Sequence, residues 1–250
     1  MTTPNINGAC GALMFARYAY APNQLGYCGP RDSRLLSGTR GEIETAARQF
    51  TGAWPYLEVL SQLTGIADPL DHRLVDAYWL GGGVGDQVNP QEFTTELLRI
   101  IAPQAGHYWH HLTADLADDA APDHCFHVFA VYPWSRLLGK VGGDEHPLNI
   151  LDNCRISWGT VVSTDGATAV VASQRLQWSG AALSLSSPEE LSVKVSTDAR
   201  IDIAVEPGDL VALHWGQVCD RLTPEQLARL KDCTTRQLHS TTRQLSASAP

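Results

Sequence analysis

Cys154-Arg-Ile-Ser-Trp-Gly-Thr-Val161 opens the part of the chain that determines its architecture, and Pro207-Gly-Asp-Leu-Val-Ala-Leu-His-Trp-Gly-Gln-Val218 closes it. Between them, short apolar runs alternate with turn signals such as Asp165-Gly166. The pattern predicts strands over residues 156–162, 167–173, 176–178, 191–195, 201–205 and 210–218. Many short strands at this spacing predict a small closed barrel.

A helix is predicted directly after the barrel. Thr223 can cap it, Pro224 suits its first position, and Gln226 completes a capping box. The barrel and this helix form a predicted domain over residues 150–235. Thr-Thr-Arg-Gln-Leu occurs at residues 234–238 and again at 241–245, and Ser, Ala and Pro follow. We therefore expect the helix to extend and then fray, with residues 236–250 as the tail.

Residues 1–145 are predicted to form a mainly helical domain, so the fold class is α+β. Helical spacing covers residues 41–63, with a break at Pro55, and residues 71–80, and another helix begins at Asn89. Residues 18–30, rich in Pro, Gly and Asn, predict an ordered loop. Residues 125–132 are apolar and β-prone, and predict one buried strand.

Composition excludes several classes of function. The 250 residues include 18 Lys and Arg against 27 Asp and Glu, a net charge of −9, and no basic run that would follow a nucleic-acid backbone. The longest nearly uncharged apolar stretch, residues 8–21, is too short to span a bilayer, and the first residues lack the cationic start of a signal peptide. We therefore expect a soluble cytoplasmic protein with no membrane or nucleic-acid partner. Its six cysteines, without a CxxC pair, would be thiols there.

The order of motifs in the C-terminal third resembles the HupF/HypC-type hydrogenase-assembly chaperones. These proteins begin with a cysteine followed by a short apolar stretch. Later they carry a Gly-Asp-x-Val strand that ends in His-x-Gly, and then an acidic helix. Cys154 and the strand Gly208-Asp-Leu-Val-Ala-Leu-His-Trp-Gly216 match these features. The resemblance implies an OB-like barrel.

The same resemblance implies a function and a site. Cys154 and His214 stand where the family is implicated in holding or handing over the iron of the nickel-iron site, with its cyanide and carbonyl ligands. The expected role is that of an assembly chaperone rather than an enzyme. The implied partners are the hydrogenase large-subunit precursor and the HypD-like iron-site scaffold protein. A thiolate and a neutral imidazole are suitable ligands for ferrous iron. The alternative is that Cys154 is a buried small apolar residue and that His214 pairs with the backbone.

The N-terminal part resembles an uncharacterised bacterial family of helical domains that accompanies hydrogenase gene sets. The segments that carry this likeness are residues 17–30, 52–57 and 126–134, which read RYAYAPNQLGYCGP, GAWPYL and FHVFAVYPW. This likeness agrees with the hydrogenase interpretation but supplies no mechanism.

A second candidate centre lies in the N-terminal part. In the predicted strand, Cys125 and His127 lie two residues apart on one face, and Cys28 lies in a turn whose N–H groups could lower its pKa. With His124, these three residues could form a cofactor-binding centre. The alternative function is therefore a metal-dependent or redox enzyme. His107 and His111, four residues apart, are a weaker candidate pair because the general-base Glu of a metalloprotease motif is absent beside them.

Overall fold

The computed structural model describes residues 6–31, 33–104, 112–140, 143–196 and 203–247. Within these residues the helices are α1 (Ile6–Gln24), α2 (Arg40–Ala47), α3 (Trp54–Thr64), α4 (His72–Leu80), α5 (Pro90–Ile101), α6 (His124–Phe126), α7 (Glu145–Cys154) and α8 (Pro224–Ala247). The strands are β1 (Ser157–Thr164), β2 (Thr168–Ser173), β3 (Leu176–Trp178), β4 (Leu183–Leu185), β5 (Glu189–Lys194), β6 (Leu210–His214) and β7 (Gln217–Arg221). The fold is α+β, as predicted.

Five of the strands form a closed barrel in the order β1-β2-β5-β7-β6, with β6 pairing back to β1. The pairs are antiparallel except for β5 with β7. The hairpin β3–β4, of which only β3 is predicted, lies outside the barrel. Of the predicted strand 201–205, residues 201 and 202 lie outside the described part, and residues 203–205 form no strand.

The predicted strand 210–218 is wrong in one respect, because a two-residue turn divides it into β6 and β7. Trp215 has φ 50° and Gly216 has φ 71°. Positive φ at both positions is the backbone of the tight hairpin turns that suit the twist of paired strands. A tryptophan adopts this conformation at a steric cost, so the surrounding structure must hold it there.

Residues 125–131 of the predicted strand 125–132 are helical, so the predicted strand is wrong. The Asp123 side chain caps α6 by accepting a hydrogen bond from the Phe126 N–H at 2.8 Å. Residues His127–Val131 continue as a π-helical turn, closed by the Tyr132 N–H bonding to the His127 carbonyl at 2.9 Å. A short buried apolar run has the same composition in a helix and in a strand, which explains the error. The turn places His124 and His127 side by side, with ring centroids 5.8 Å apart.

Helix α1 also overrides the sequence prediction. It continues to Gln24, so residues 18–24 are helical where a loop was predicted, and Pro22 lies within the helix. Because proline has no N–H, the carbonyl of Tyr18, four residues earlier, lacks its helical donor. That carbonyl accepts a hydrogen bond from His214 instead.

One apolar core crosses the predicted domain boundary. Buried residues of both halves belong to it, among them Phe15, Leu57, Phe126, Ile156, Trp158, Ala212 and Leu230. Helix α7 occupies the region of the predicted boundary. A smaller core fills the barrel and includes Val161, Val171, Val193, Val211 and Val218. The helical residues and the barrel therefore pack as neighbours, which allows a site to form between them.

Helix α8 begins as predicted and ends later than predicted. It runs to Ala247 and buries Gln237, Leu238 and Thr241, so the frayed tail expected from residue 236 does not occur through residue 247. Arg236 pairs with the buried Asp123 at 3.1 Å, which ties α8 to the start of α6. In the described part of the chain, no helix has both the length and the apolar character needed to cross a bilayer.

The capping box of α8 gives a stability prediction. The Gln226 N–H donates to the Thr223 hydroxyl at 3.2 Å, and the Thr223 N–H donates to the Gln226 side chain at 3.0 Å. We expect Thr223→Ala to lower the free energy of unfolding by about 1 kcal/mol, because the cap would be lost. The control is Thr235→Ala at an exposed position within α8, where alanine is neutral or slightly stabilising. Chemical denaturation measures both, and equal effects would contradict the capping role.

Candidate metal centre

Three side chains from three separate parts of the chain meet in the interior. His124, Cys154 and His214 each offer one ligand atom, and these atoms lie within 4.8 Å of one another. Metal bonds of about 2.0–2.3 Å place two ligands of a tetrahedral ion roughly 3.5 Å apart, so side-chain shifts of about 1 Å would close the site. Thiolate and imidazole form a donor set suited to zinc, iron or copper.

His214, the last residue of β6, is held in one tautomer. Its Nδ1 lies 2.7 Å from the Tyr18 carbonyl on α1, and a carbonyl can only accept, so Nδ1 carries the proton. Its Nε2 then carries the lone pair, and this atom is buried without a hydrogen-bond partner among the described residues. Metal-bound histidines typically donate their other ring N–H in this way. His214 is 2% exposed, so the lone pair is directed into the protein interior.

Cys154 reaches the site because α7 ends there. The Trp215 N–H donates to the Asn153 carbonyl at 3.1 Å, which fixes the β6–β7 turn against the last turn of α7. Carbonyls at a helix C-terminus have no partner within the helix. One of them, the Cys154 carbonyl, accepts a hydrogen bond from His124 Nε2 at 2.9 Å. The same few residues therefore bring all three ligands together.

His124 is the third ligand. Since its Nε2 donates to a carbonyl, its Nδ1 accepts a hydrogen bond from the Tyr78 hydroxyl of α4, at 3.1 Å. Its ring meets that of His214 edge to face at 5.3 Å, and Trp79 packs against both. The histidine is buried and neutral, but both of its nitrogens have hydrogen-bond partners, so a metal would have to replace one of these two hydrogen bonds.

The ligands line a cavity of about 40 Å³. Its other walls are mainly aromatic and small residues, and none of the lining residues in the described part of the chain is an acid, a lysine or an arginine. Among the described residues, the lining consists of Pro22, Tyr27, Cys28, Phe50, Gly52, Ala53, Tyr78, Trp79, His124, His127, Tyr132, Cys154, His214 and Trp215. On the solvent side, Tyr27, half exposed, stacks on Trp215 with ring centroids 4.0 Å apart.

Burial controls the protonation of these groups. It lowers the pKa of His214 and of His127 to about 4, and it lowers the pKa of His124 well below its ordinary value, with the neighbouring histidines adding to the effect. Burial raises the pKa of the Cys154 thiol to about 12, helped by the nearby Cys28. The imidazoles are therefore neutral, whereas the thiol ionises only when a cation replaces its proton.

Most residues of the two predicted sites lie around one cavity. Cys154 and His214, predicted as metal ligands, lie together, and Cys28 and His127, predicted as cofactor ligands, line the same cavity. Cys125 does not reach it, because in a helix rather than a strand its side chain lies against Thr234 of α8, 3.7 Å from the hydroxyl. His107 and His111 lie outside the described residues.

The sequence predicts His124 only as part of the alternative centre, and not beside Cys154 and His214. The available signal was Asp123, a residue type that caps helices, directly before His124. Recognising that cap would have predicted a helix at this point and placed His124 and His127 one turn apart. Tyr18 and Tyr78 orient the two histidines, but nothing in the sequence around them predicts these contacts.

The chain is thus an α+β protein with a candidate transition-metal site between its helices and its barrel. The candidate ligands are one cysteine and two histidines. The chain belongs to a family of unknown function (DUF6390), whose model matches residues 7–248. That match includes both the helices and the barrel. No curated protein and no solved structure matches the chain.

Proposed function

We propose that this protein is a cytoplasmic accessory factor of nickel-iron hydrogenase assembly, which binds iron through His124, Cys154 and His214. The observation that carries the proposal is the meeting of Cys154 and His214 within 4.8 Å, together with a third ligand from the helical half. These two residues are the ones that the resemblance to HupF/HypC-type chaperones singles out. The closed barrel of five strands, the strand number of an OB barrel, supports that resemblance.

The donor set is compatible with binding and release of a metal that carries further ligands. One thiolate and two neutral imidazoles leave at least one position of a four-coordinate ion open, so the metal can acquire or lose a ligand there. A soft sulfur donor stabilises iron that carries π-acceptor ligands such as cyanide and carbonyl. Such iron is the cargo of the protein in this proposal and not a resident cofactor.

The proposed partners are the precursor of the hydrogenase large subunit and the HypD-like iron-site scaffold protein. The net charge of −9 is compatible with a protein partner and unfavourable for nucleic acid. Tyr27 lines the cavity, is half exposed and stacks on Trp215, and we propose it as a contact for the partner.

The test is a deletion strain of the native host complemented with variants. We expect deletion to reduce iron-site content and large-subunit processing, and wild-type protein to restore both. Cys154→Ser should fail to restore them, whereas Cys219→Ala, at a buried cysteine of β7 outside the cavity, should succeed. Protein purified anaerobically from the complemented strain should carry iron with infrared bands of cyanide or carbonyl. Iron-free protein that binds neither partner would contradict the proposal.

The second candidate function is a metal-dependent or redox enzyme centred on the same cavity. The observation in its favour is that Cys28 and His127, which are not members of the ligand group, also line the cavity and provide further reactive groups. Full hydrogenase maturation in the deletion strain, together with a stably bound metal that is not released to either partner, would favour this function.

A further inference from the structure

The proposed metal site has an unbalanced charge. A divalent cation bound to the Cys154 thiolate and to neutral His124 and His214 retains one positive charge. In the described part of the chain, no lining residue is an acid that could neutralise this charge. A buried charge without a partner is costly, so the site favours one additional anion.

The cavity also contains an unused hydrogen-bonding group. His127 is 6% exposed and lines the cavity, and its Nδ1 is buried without a hydrogen-bond partner among the described residues. Buried polar atoms of this kind are uncommon and require an explanation. A ligand that accepts a hydrogen bond would provide one, because neutral imidazole becomes a donor at Nδ1 when its proton resides there.

The position of His127 fits this role. It begins the π-helical turn that follows α6, and its ring stacks beside that of the ligand His124 at 5.8 Å. Tyr132 and Tyr56 pack against it edge to face, at 4.5 Å and 5.3 Å, and fix the ring from two sides. A Cβ at Gly52 would lie 2.9 Å from His127 Nε2, so the glycine provides the space that the ring occupies. Irregular π turns often occur at functional sites.

We infer that the open position of the metal takes one small monoanion, and that His127 Nδ1 donates a hydrogen bond to it. The cavity of about 40 Å³ has room for an anion of two or three atoms. His127 is in this view a binding residue for the anion and not a metal ligand. The inference rests on the proposed metal site.

The experiment uses cobalt(II)-loaded protein and azide, and follows the visible absorption of cobalt. We expect one cobalt per chain and a saturable spectral change on addition of azide. Asparagine places an amide near the position of histidine Nδ1, and glutamine near that of Nε2. His127→Gln should therefore weaken azide binding by about tenfold, the equivalent of one lost hydrogen bond, while His127→Asn stays within about threefold of wild type. Cobalt stoichiometry and thermal melting of each variant identify any that fail to fold.

The outcomes distinguish the proposed metal site from the proposed anion bound beside His127. Cobalt binding without any spectral response to azide would overturn the inference and leave the metal site intact, and would indicate that a protein group such as Cys28 takes the open position. Equal azide affinity in His127→Gln, His127→Asn and wild type would also overturn it. Failure of the wild-type protein to bind cobalt would overturn the proposed metal site and this inference together.

Discussion

Cys154→Ser and His214→Gln should each lower the affinity for cobalt(II) or iron(II) by at least about 100-fold. Losing a group that only orients a ligand costs 10- to 100-fold in typical metal sites, so losing a ligand itself costs at least as much. Serine retains the size of cysteine but does not ionise at neutral pH, which removes the only anionic donor among the three ligands. Glutamine retains the bulk of histidine but replaces the strong nitrogen donor with an amide.

Matched controls distinguish ligand loss from damage to the fold. Cys125→Ala and Cys219→Ala alter buried cysteines that lie outside the cavity, and should leave metal affinity within about threefold of wild type. Competition titration measures the affinities, and the sulfur-to-cobalt charge-transfer band should disappear in Cys154→Ser alone. A band that survives in this variant would show that a different cysteine binds the metal.

Asp152→Ala should have the largest effect on stability, about 3–5 kcal/mol. Asp152 accepts hydrogen bonds from the Leu176 N–H at 2.8 Å and from Arg155, and it also pairs with Arg175. Arg155 is only 1% exposed, so removal of the carboxylate leaves a buried guanidinium without its counter-charge. The substitution also removes the hydrogen bonds that connect α7 to the start of the barrel and to the hairpin β3–β4.

Urea denaturation measures this effect. The control is Asp232→Ala on the exposed face of α8, which should change the free energy of unfolding by no more than about 0.5 kcal/mol. Asp152→Asn should fall between the two, because an amide oxygen can still accept from Leu176 but carries no charge. A change below about 1 kcal/mol in Asp152→Ala would contradict the role of Asp152 as the counter-charge of Arg155.

The barrel was predictable from sequence because its strands alternate with strong turn signals. The Thr223 capping box likewise predicted the start of α8. The segment after Asp123 was not predictable from periodicity, because a fully buried apolar run lacks the alternation that separates a strand from a helix. Residues 236–247 were expected to fray, but the buried side chains of Leu238 and Thr241 keep them helical. Stabilisation by tertiary packing cannot be predicted from the local sequence.

The candidate site was predictable only in part for the same reason. Cys154 and His214 lie in motifs that can be recognised in the sequence. The short distance between them, however, depends on the turn at Trp215 and on its hydrogen bond to Asn153. The role of His124 depends on long-range partners. Tyr78 and Trp79 of α4 hold its ring, and no spacing along the chain relates them to it.

The most direct test of the three-ligand metal site is X-ray absorption at the metal edge of the cobalt(II)-loaded protein. We expect one sulfur and two imidazole nitrogens from the protein around a single ion, with the sulfur lost in Cys154→Ser and one imidazole lost in His214→Gln. A spectrum with no sulfur neighbour, or one that is unchanged in both variants, would contradict the claim that His124, Cys154 and His214 form one metal site.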